Sequence, residues 1–301
     1  MRISLVVLLV VAAVGCGSPS KPSASPPHRR TLEALADARG KPVAITPGGD
    51  DFAPGVNRYS FLVIASDGRS ITRQRATVWV SRGLKQKPFD KTTARLERIT
   101  VPGESGAPFG GDTIYVAHVR VPAPGTYWVL AQPQGAKIAG IGNLVAAAHT
   151  YSPAIGAQAP RSDTPTLKTT HGRLAPLTTA THPDRALYET SVAQALAKHE
   201  PSVVAFATPK FCTSRTCGPV VDVVSSVRRS LARTPVRFIH VEVYAHNDPA
   251  QGYNRWMKEW HLRSEPWVFL VGRDGRIKAK FQGAVSVGEL RNAVRRTLLK
   301  A

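Results

Sequence analysis

Hydrophobic and polar positions divide the chain into two regimes. Between Lys41 and Ala148 they follow strand patterns: Tyr59-Ser-Phe-Leu-Val-Ile64 leads into an Asp67-Gly68 turn, and Ala76-Thr-Val-Trp-Val80 alternates as a half-buried strand does. Thr113–Val121 and Thr126–Leu130 flank Pro122-Ala-Pro-Gly125, a turn of residues that either fix φ or free it. Short strands at this spacing with no helix between them predict an antiparallel sandwich over 41–148. From Leu187 onward, apolar positions switch between strand and helix spacing. Ser191–Lys198 reads as a helix and Ser202–Thr208 as a buried strand. Val220–Ala232 is a helix with Val220, Val223, Val224, Val227 and Leu231 on one face. Val236–Val243 is a strand, Gly252–Leu262 a short helix, and Trp267–Val271 and Ile277–Phe281 a hairpin about an Arg273-Asp-Gly275 turn. A last helix opens with the capping-box sequence Ser286-Val-Gly-Glu289. This order predicts a mixed sheet with helices on both faces.

Residues 149–186 are rich in Pro, Thr and Ser with little periodicity, which predicts an interdomain linker. At the N-terminus, Arg2 precedes an apolar run from Ile3 to Val14, shorter than the ~20 residues a membrane span needs, and Ala13-Val14-Gly15-Cys16 places small residues before a cysteine. The expected organisation is a signal peptide over 1–15, a tether over 16–40, a β domain over 41–148, the linker over 149–186 and a second domain over 187–301.

Net charge changes the picture only modestly. The chain has 40 Lys+Arg against 20 Asp+Glu, a formal charge of +20. Residues 187–301 hold 18 basic and 9 acidic side chains, a net of +9, so no single basic block stands out. For an exported chain, anionic headgroups or wall polymers are favoured over nucleic acid as partners, and the even spread of the charge predicts above all a solvated, mildly sticky surface.

The candidate chemistry is concentrated in Thr208-Pro-Lys-Phe-Cys212-Thr-Ser-Arg-Thr-Cys217-Gly-Pro219, which carries two of the three cysteines between a strand and a helix. A thiol attacks only as thiolate, and a helix N-terminus favours thiolate through unpaired N–H groups and the positive end of the dipole. Pro219 belongs in a first helical turn, so the helix is expected to begin near Gly218 with Cys217 at its cap, and Lys210 and Arg215 add positive charge nearby. Five residues along an intact helix rise ~7.5 Å, more than the ~7 Å Cα separation a disulfide permits. Cys212 must therefore lie in the preceding loop, or the helix must unwind for the pair to close.

The residues ending at Cys16 resemble the lipobox of bacterial lipoproteins, with Ala13 where that family usually has Leu. The resemblance implies lipidation of Cys16 and tethering on the extracytoplasmic face of a membrane. The strand and turn pattern of 41–148, with its Pro-Gly-x-Tyr turn, resembles immunoglobulin-like modules of bacterial surface proteins, which implies a binding or spacer role. The order of elements over about 115 residues from Leu187, with the cysteines after the first central strand and Pro266 before the hairpin, resembles the thioredoxin fold. The expected fold class is thus an all-β immunoglobulin-like sandwich followed by an α/β thioredoxin-like domain. The resemblance implies a cis bond at Pro266 beside the redox-active sulfur, and thiol–disulfide exchange through Cys212 and Cys217 on protein thiols or disulfides, with no cofactor. Cys217-Gly-Pro is followed by Val220 where the family motif has its second cysteine, Phe211 replaces the usual tryptophan, and Phe206 stands where the family carries a buried acid.

The same residues also resemble peroxiredoxins of the bacterioferritin-comigratory type. There Cys212 would attack peroxide and Cys217 would resolve it, with Thr208 and Arg263 as activating residues. Copper-delivery proteins are similar in outline, with His240 or His246 joining the cysteines. A structural disulfide is the further alternative. Trp256, Trp260 and Trp267 are candidates for a substrate groove or for packing. Cys212 is the favoured attacker, while the Cys-Gly-Pro match argues for Cys217, and the order of attack stays open at the level of sequence.

Overall fold

The computed structural model describes residues 30–104 and 111–299; the signal peptide, Cys16 and most of the tether lie outside the described residues. Seven strands follow a short helix α1 (Leu32–Asp37): β1 (Lys41–Pro47), β2 (Gly55–Ile64), β3 (Arg75–Ser81), β4 (Asp90–Arg98), β5 (Thr113–Val121), β6 (Gly125–Pro133) and β7 (Ile138–Ala146). The order β1-β2-β5-β4-β3-β6-β7 closes on itself because β1 pairs in parallel with β7, Lys41 opposite Ile138 through Ala44 opposite Ile141. The expected immunoglobulin-like sandwich is therefore corrected to a closed barrel. Glycine explains the closure. A Cβ on Gly142 would stand 2.9 Å from the Cβ of Ile45 on β1, so only a bare α-carbon lets the two strands approach. Every second residue points inward, and Tyr59, Phe61, Val78, Val80, Tyr115 and Tyr127 fill the interior. Outside, Leu32, Leu35 and Ala36 of α1 seal Trp79, Leu130 and Ala139, so the tether range ends in a packed helix.

The second sheet has the order β11-β10-β8-β9, built from β8 (Ser202–Phe206), β9 (Arg237–Val241), β10 (Trp267–Val271) and β11 (Ile277–Gln282). β8 and β9 are parallel, and the other two pairings are antiparallel. The helices around it are α2 (Val192–Ala197), α3 (Cys217–Ser230), α4 (Arg255–Glu259) and α5 (Val287–Thr297). On one face Val220, Val224, Leu290 and Val294 pack on Val203 and Val268; on the other, Trp260, Met257 and Trp267 pack around Phe206 and Phe269. Each such side chain contributes about 1.5–3 kcal/mol on burial.

The expectation of an α/β thioredoxin-like domain is corrected as well. The described chain is mostly β, a barrel plus a four-stranded sheet, and only α3 and α5 exceed six residues. α2 stops before His199 and α4 before His261, both of which turn into positive φ (51° and 53°) and cannot continue a right-handed helix. Segment 149–186 has no regular element before the 3-10 turn at Arg185–Tyr188, yet it is packed: Ala159 N–H donates to Gly275 O (2.9 Å), and Trp260 Nε1 donates to Ser162 Oγ (3.0 Å).

The barrel and the second sheet share a polar interface. Arg58 makes a two-pronged ion pair with Glu289 (2.6 and 2.9 Å), and Lys280 Nζ lies 3.1 Å from Asp51, whose side chain is 2 % exposed. Gln282 at the end of β11 accepts from the N–H groups of Asp50 and Asp51 (2.8 and 3.0 Å) and donates to Ser264 Oγ (2.9 Å). No helix among the described residues is long and apolar enough to cross a membrane.

Candidate functional site

β8 delivers the chain to Thr208, and ten-residue geometry is not left to chance between that strand and α3. The loop through Pro209 and Phe211 is anchored where Lys210 N–H donates to Thr179 Oγ1 (3.1 Å), whose hydroxyl in turn donates to the buried carboxylate of Glu242 (2.7 Å). Cys212 opens a tight turn in which Arg215 N–H donates to Cys212 O (3.0 Å), with Arg215 itself at φ 56°. Cys217 is the first residue of α3, and the cap residue Thr216 makes no side-chain cap bond. The sulfur of Cys212 serves instead, accepting the N–H of Cys217 at 3.3 Å. Gly218 and Pro219 complete a first turn in which the N–H that proline lacks would have had no helical partner.

The two thiols differ sharply in environment. Both are free. Cys212 is held down to about 6, from an ordinary 9.0, by the hydrogen bond from the Cys217 thiol; Ser214 and the N–H groups of Cys217 and Thr216 help, against the opposing effect of burial. Cys217 has no exposed surface, and its thiol is pushed strongly upward by burial and by its neighbour Cys212. The pair is thus a thiolate with a protonated thiol beside it.

Cys212 lines a cleft of about 1300 Å³, together with Lys210, Arg215, Gly218 and Pro219 from its own loop and helix and with residues 179–185 opposite; Cys217 does not line it. Phe211 turns the other way, its ring 6.5 Å from that of Tyr244 and beneath the Lys210 ammonium at 5.3 Å. The Glu265–Pro266 peptide is cis, and Pro266 is buried at the start of β10.

Other residues singled out in the sequence lie apart from this chemistry. His240 is buried with Nδ1 against Tyr188 Oη (2.8 Å) and Nε2 against Ala207 O (3.0 Å), which leaves neither ring nitrogen for a metal. His246 lies in the turn after β9, and among the described residues no three His, Cys, Asp or Glu side chains stand together as a metal site would require. The Arg263 guanidinium lies 5.0 Å over the ring of Tyr151, and Thr208 supports the Cys217 sulfur through its backbone N–H, so neither takes up the activating position of the peroxidase reading at Cys212. Trp260 and Trp267 are core residues, and Trp256 donates to Asp163 O (3.1 Å).

Sequence reasoning missed Thr179, Glu242, Tyr244, Tyr253 and Glu265. Glu265 carried one signal, its place directly before Pro266. The hydroxyls of Tyr253 and Tyr244 donate to its two carboxylate oxygens (3.1 and 3.5 Å), and burial raises its carboxyl above the ordinary range. Comparison with protein-family models and with curated proteins returns no match, so the chemistry rests on these residues.

Proposed function

We propose that the chain is a thiol–disulfide oxidoreductase in which Cys212 attacks and Cys217 resolves. The observation that carries the reading is the asymmetry of the pair: an ionised sulfur that accepts an N–H at a helix start and faces a cleft, backed by a buried thiol in hydrogen-bond contact. The thiolate attacks one sulfur of a partner disulfide, that S–S bond breaks, and the other partner sulfur leaves with the electron pair. Cys217 then attacks Cys212, releases the second partner thiolate and closes the Cys212–Cys217 bond. The partner gains two electrons and the dithiol loses them; run backwards, the same steps oxidise a partner dithiol. Protein thiols or disulfides fit the open cleft, and no cofactor takes part. Export and lipid anchoring at Cys16, on the extracytoplasmic face of a membrane, belong to the proposal on the N-terminal sequence pattern alone.

The test is trapping with single variants. Cys217→Ser is expected to accumulate a mixed disulfide through Cys212, and Cys212→Ser to accumulate none. Titration in defined redox buffers should show one reversible two-electron transition. A Cys212–Cys217 bond that forms irreversibly, or adducts in neither variant, would refute the reading.

A further inference from the structure

Resting on the dithiol reading, we infer that Thr179 is a positioning residue for the reaction: its hydroxyl couples the buried carboxylate of Glu242 to the backbone of the cysteine loop and so holds the sulfur of Cys212 on the N–H of Cys217. The chain of contacts is continuous. Glu242 follows directly on β9 at 5 % exposure, and its Oε1 accepts both the N–H and the hydroxyl of Thr179 (2.5 and 2.7 Å). With its proton committed to that carboxylate, the Thr179 oxygen turns a lone pair to the loop and accepts the N–H of Lys210 at 3.1 Å. Two residues further on, Cys212 Sγ accepts the N–H of Cys217 at 3.3 Å.

The loop needs such support, since it belongs to no strand or helix. The turn at Cys212 closes on itself, with Arg215 N–H on Cys212 O (3.0 Å) and Ser214 Oγ against Cys212 Sγ (3.3 Å), so these bonds travel with the loop and do not locate it. Its location comes from contacts outside the turn. These are the Lys210 N–H on Thr179 and the Phe211 ring edge-on to Tyr244 at 6.5 Å, and only the first has the direction of a hydrogen bond.

Glu242 is placed for this task. Both hydrogen bonds of its side chain run to Thr179, and its Oε2 is buried with no partner among the described residues. A buried carboxylate in that state destabilises a fold, which points to a role at the site it serves. Thr179 also lines the cleft opposite Cys212, on the wall segment that Asp184 fastens to Arg228 of α3 (2.8 Å). One hydroxyl thus sets loop and wall against each other and fixes the spacing into which a partner disulfide must fit.

The experiment follows alkylation of Cys212 by iodoacetamide against pH in the full chain. Thr179→Val keeps the shape and removes the hydroxyl, whereas Thr179→Ser keeps the hydroxyl. The valine variant is expected to raise the Cys212 midpoint by about one pH unit, the lower end of what loss of a hydrogen bond to a charged group produces. The serine variant should stay at the native midpoint. Glu242→Leu separates position from charge by sign: removing a nearby negative charge lowers a thiol pKa, whereas release of the loop raises it, so an upward move is expected here too. The charged and titratable groups that line the cleft with Cys212 are unchanged in all three variants: Lys210 and Arg215 on its loop, Asp222 and Arg228 on α3, and His182, Asp184 and Arg185 on the wall. Urea midpoints are measured alongside, because a purely structural role would lower those and leave the pH midpoint in place. A native pH midpoint in Thr179→Val, a serine variant that moves as far as the valine one, or an unmoved or lowered midpoint in Glu242→Leu overturns the inference; should one variant not fold, the others decide. Failure of Cys217→Ser to trap a mixed disulfide, with the Thr179 midpoints as expected, would instead sink the dithiol reading beneath it.

Discussion

The thiol of Cys217 is the largest single cause of the low Cys212 pKa, so replacing it tests the electrostatics of the site directly. Cys217→Ala removes the side-chain donor and leaves the backbone N–H at 3.3 Å, whereas Cys217→Ser keeps a hydroxyl donor in the same place. A hydrogen bond to a charged group contributes about 1.5–3 kcal/mol. At 1.36 kcal/mol for each pH unit, its loss should raise Cys212 by about 1–2 units in the alanine variant. From a starting value of about 6, the thiolate share at pH 7 falls from roughly nine-tenths to between a half and a tenth, and iodoacetamide should alkylate Cys212 about 2- to 10-fold more slowly. The assay is the alkylation rate against pH, with thiolate absorbance as a second readout. In the native protein the buried Cys217 stays protonated throughout, so the midpoint belongs to Cys212. Identical midpoints in the Ala and Ser variants would refute the assignment of the low pKa to the S–H donor. A native midpoint in the ordinary thiol range would refute the low pKa itself.

Other perturbations probe the frame around the site. Lys280→Met leaves the buried Asp51 without its cation, although Tyr151 N–H and Ser152 Oγ still reach it; stability in urea should drop by about 3 kcal/mol and partly recover when Asp51→Asn is added. Gly283→Ala places a Cβ 2.2 Å from Gly48 O at a φ of +72°, so a loss of about 1–3 kcal/mol is expected by thermal denaturation. Burial alone would raise the Asp184 carboxyl, but hydrogen bonds from Ser225 and Arg228 overcome it and hold the group low. Its stabilisation is therefore complete above pH ~4 and fades as pH falls through the lowered folded value, a slope in urea midpoint against pH that Asp184→Asn should remove. Gln282→Leu strands the N–H groups of Asp50 and Asp51 and removes a donor from Ser264; the expected cost is about 1–3 kcal/mol in urea.

Local pattern carried the sequence reading as far as local pattern reaches. Residues 59–64 and 76–80 alternate because one face is core, and those strands stand where that alternation placed them. β1, β4 and β7 went unseen. Lys41–Pro47 has a single buried residue, Ile45, and β4 buries only Ala94, so neither shows a period, and β7 is interrupted by Gly140 and Gly142. Yet these glycines close the barrel, since closure depends on β1 meeting β7 across about a hundred residues. The helices were legible from their apolar faces: the readings at 191–198 and 220–232 fall on α2 and α3, and only the one at 252–262 shortens, to Arg255–Glu259, where His261 soon turns left-handed and histidine gives no strong signal for that conformation. Cys212 and Cys217 could be found because cysteine is rare in this chain; Glu265 could not, because an exposed-looking acid in Arg-Ser-Glu-Pro acquires its meaning only from two tyrosines brought from elsewhere.

The placement of that acid bears on how such a site can work. The interior position at Phe206 is wholly apolar, and a carboxylate there would need partners the surrounding Trp260 and Phe269 cannot supply. Glu265 instead stands on the loop before β10, next to Ser264, which Gln282 ties to the barrel loop at Asp50 and Asp51. Glu265, Tyr244 and Tyr253 are not among the residues that line the cleft at Cys212. A partner that filled the cleft at Cys212 would therefore leave this braced carboxyl in place. The cleft itself is walled by α3, by residues 179–185 and, from the loop after β4 of the barrel, by Gly103 and Glu104, the latter paired with Arg229 at 3.2 Å, so the surface that surrounds Cys212 is built from both parts of the fold.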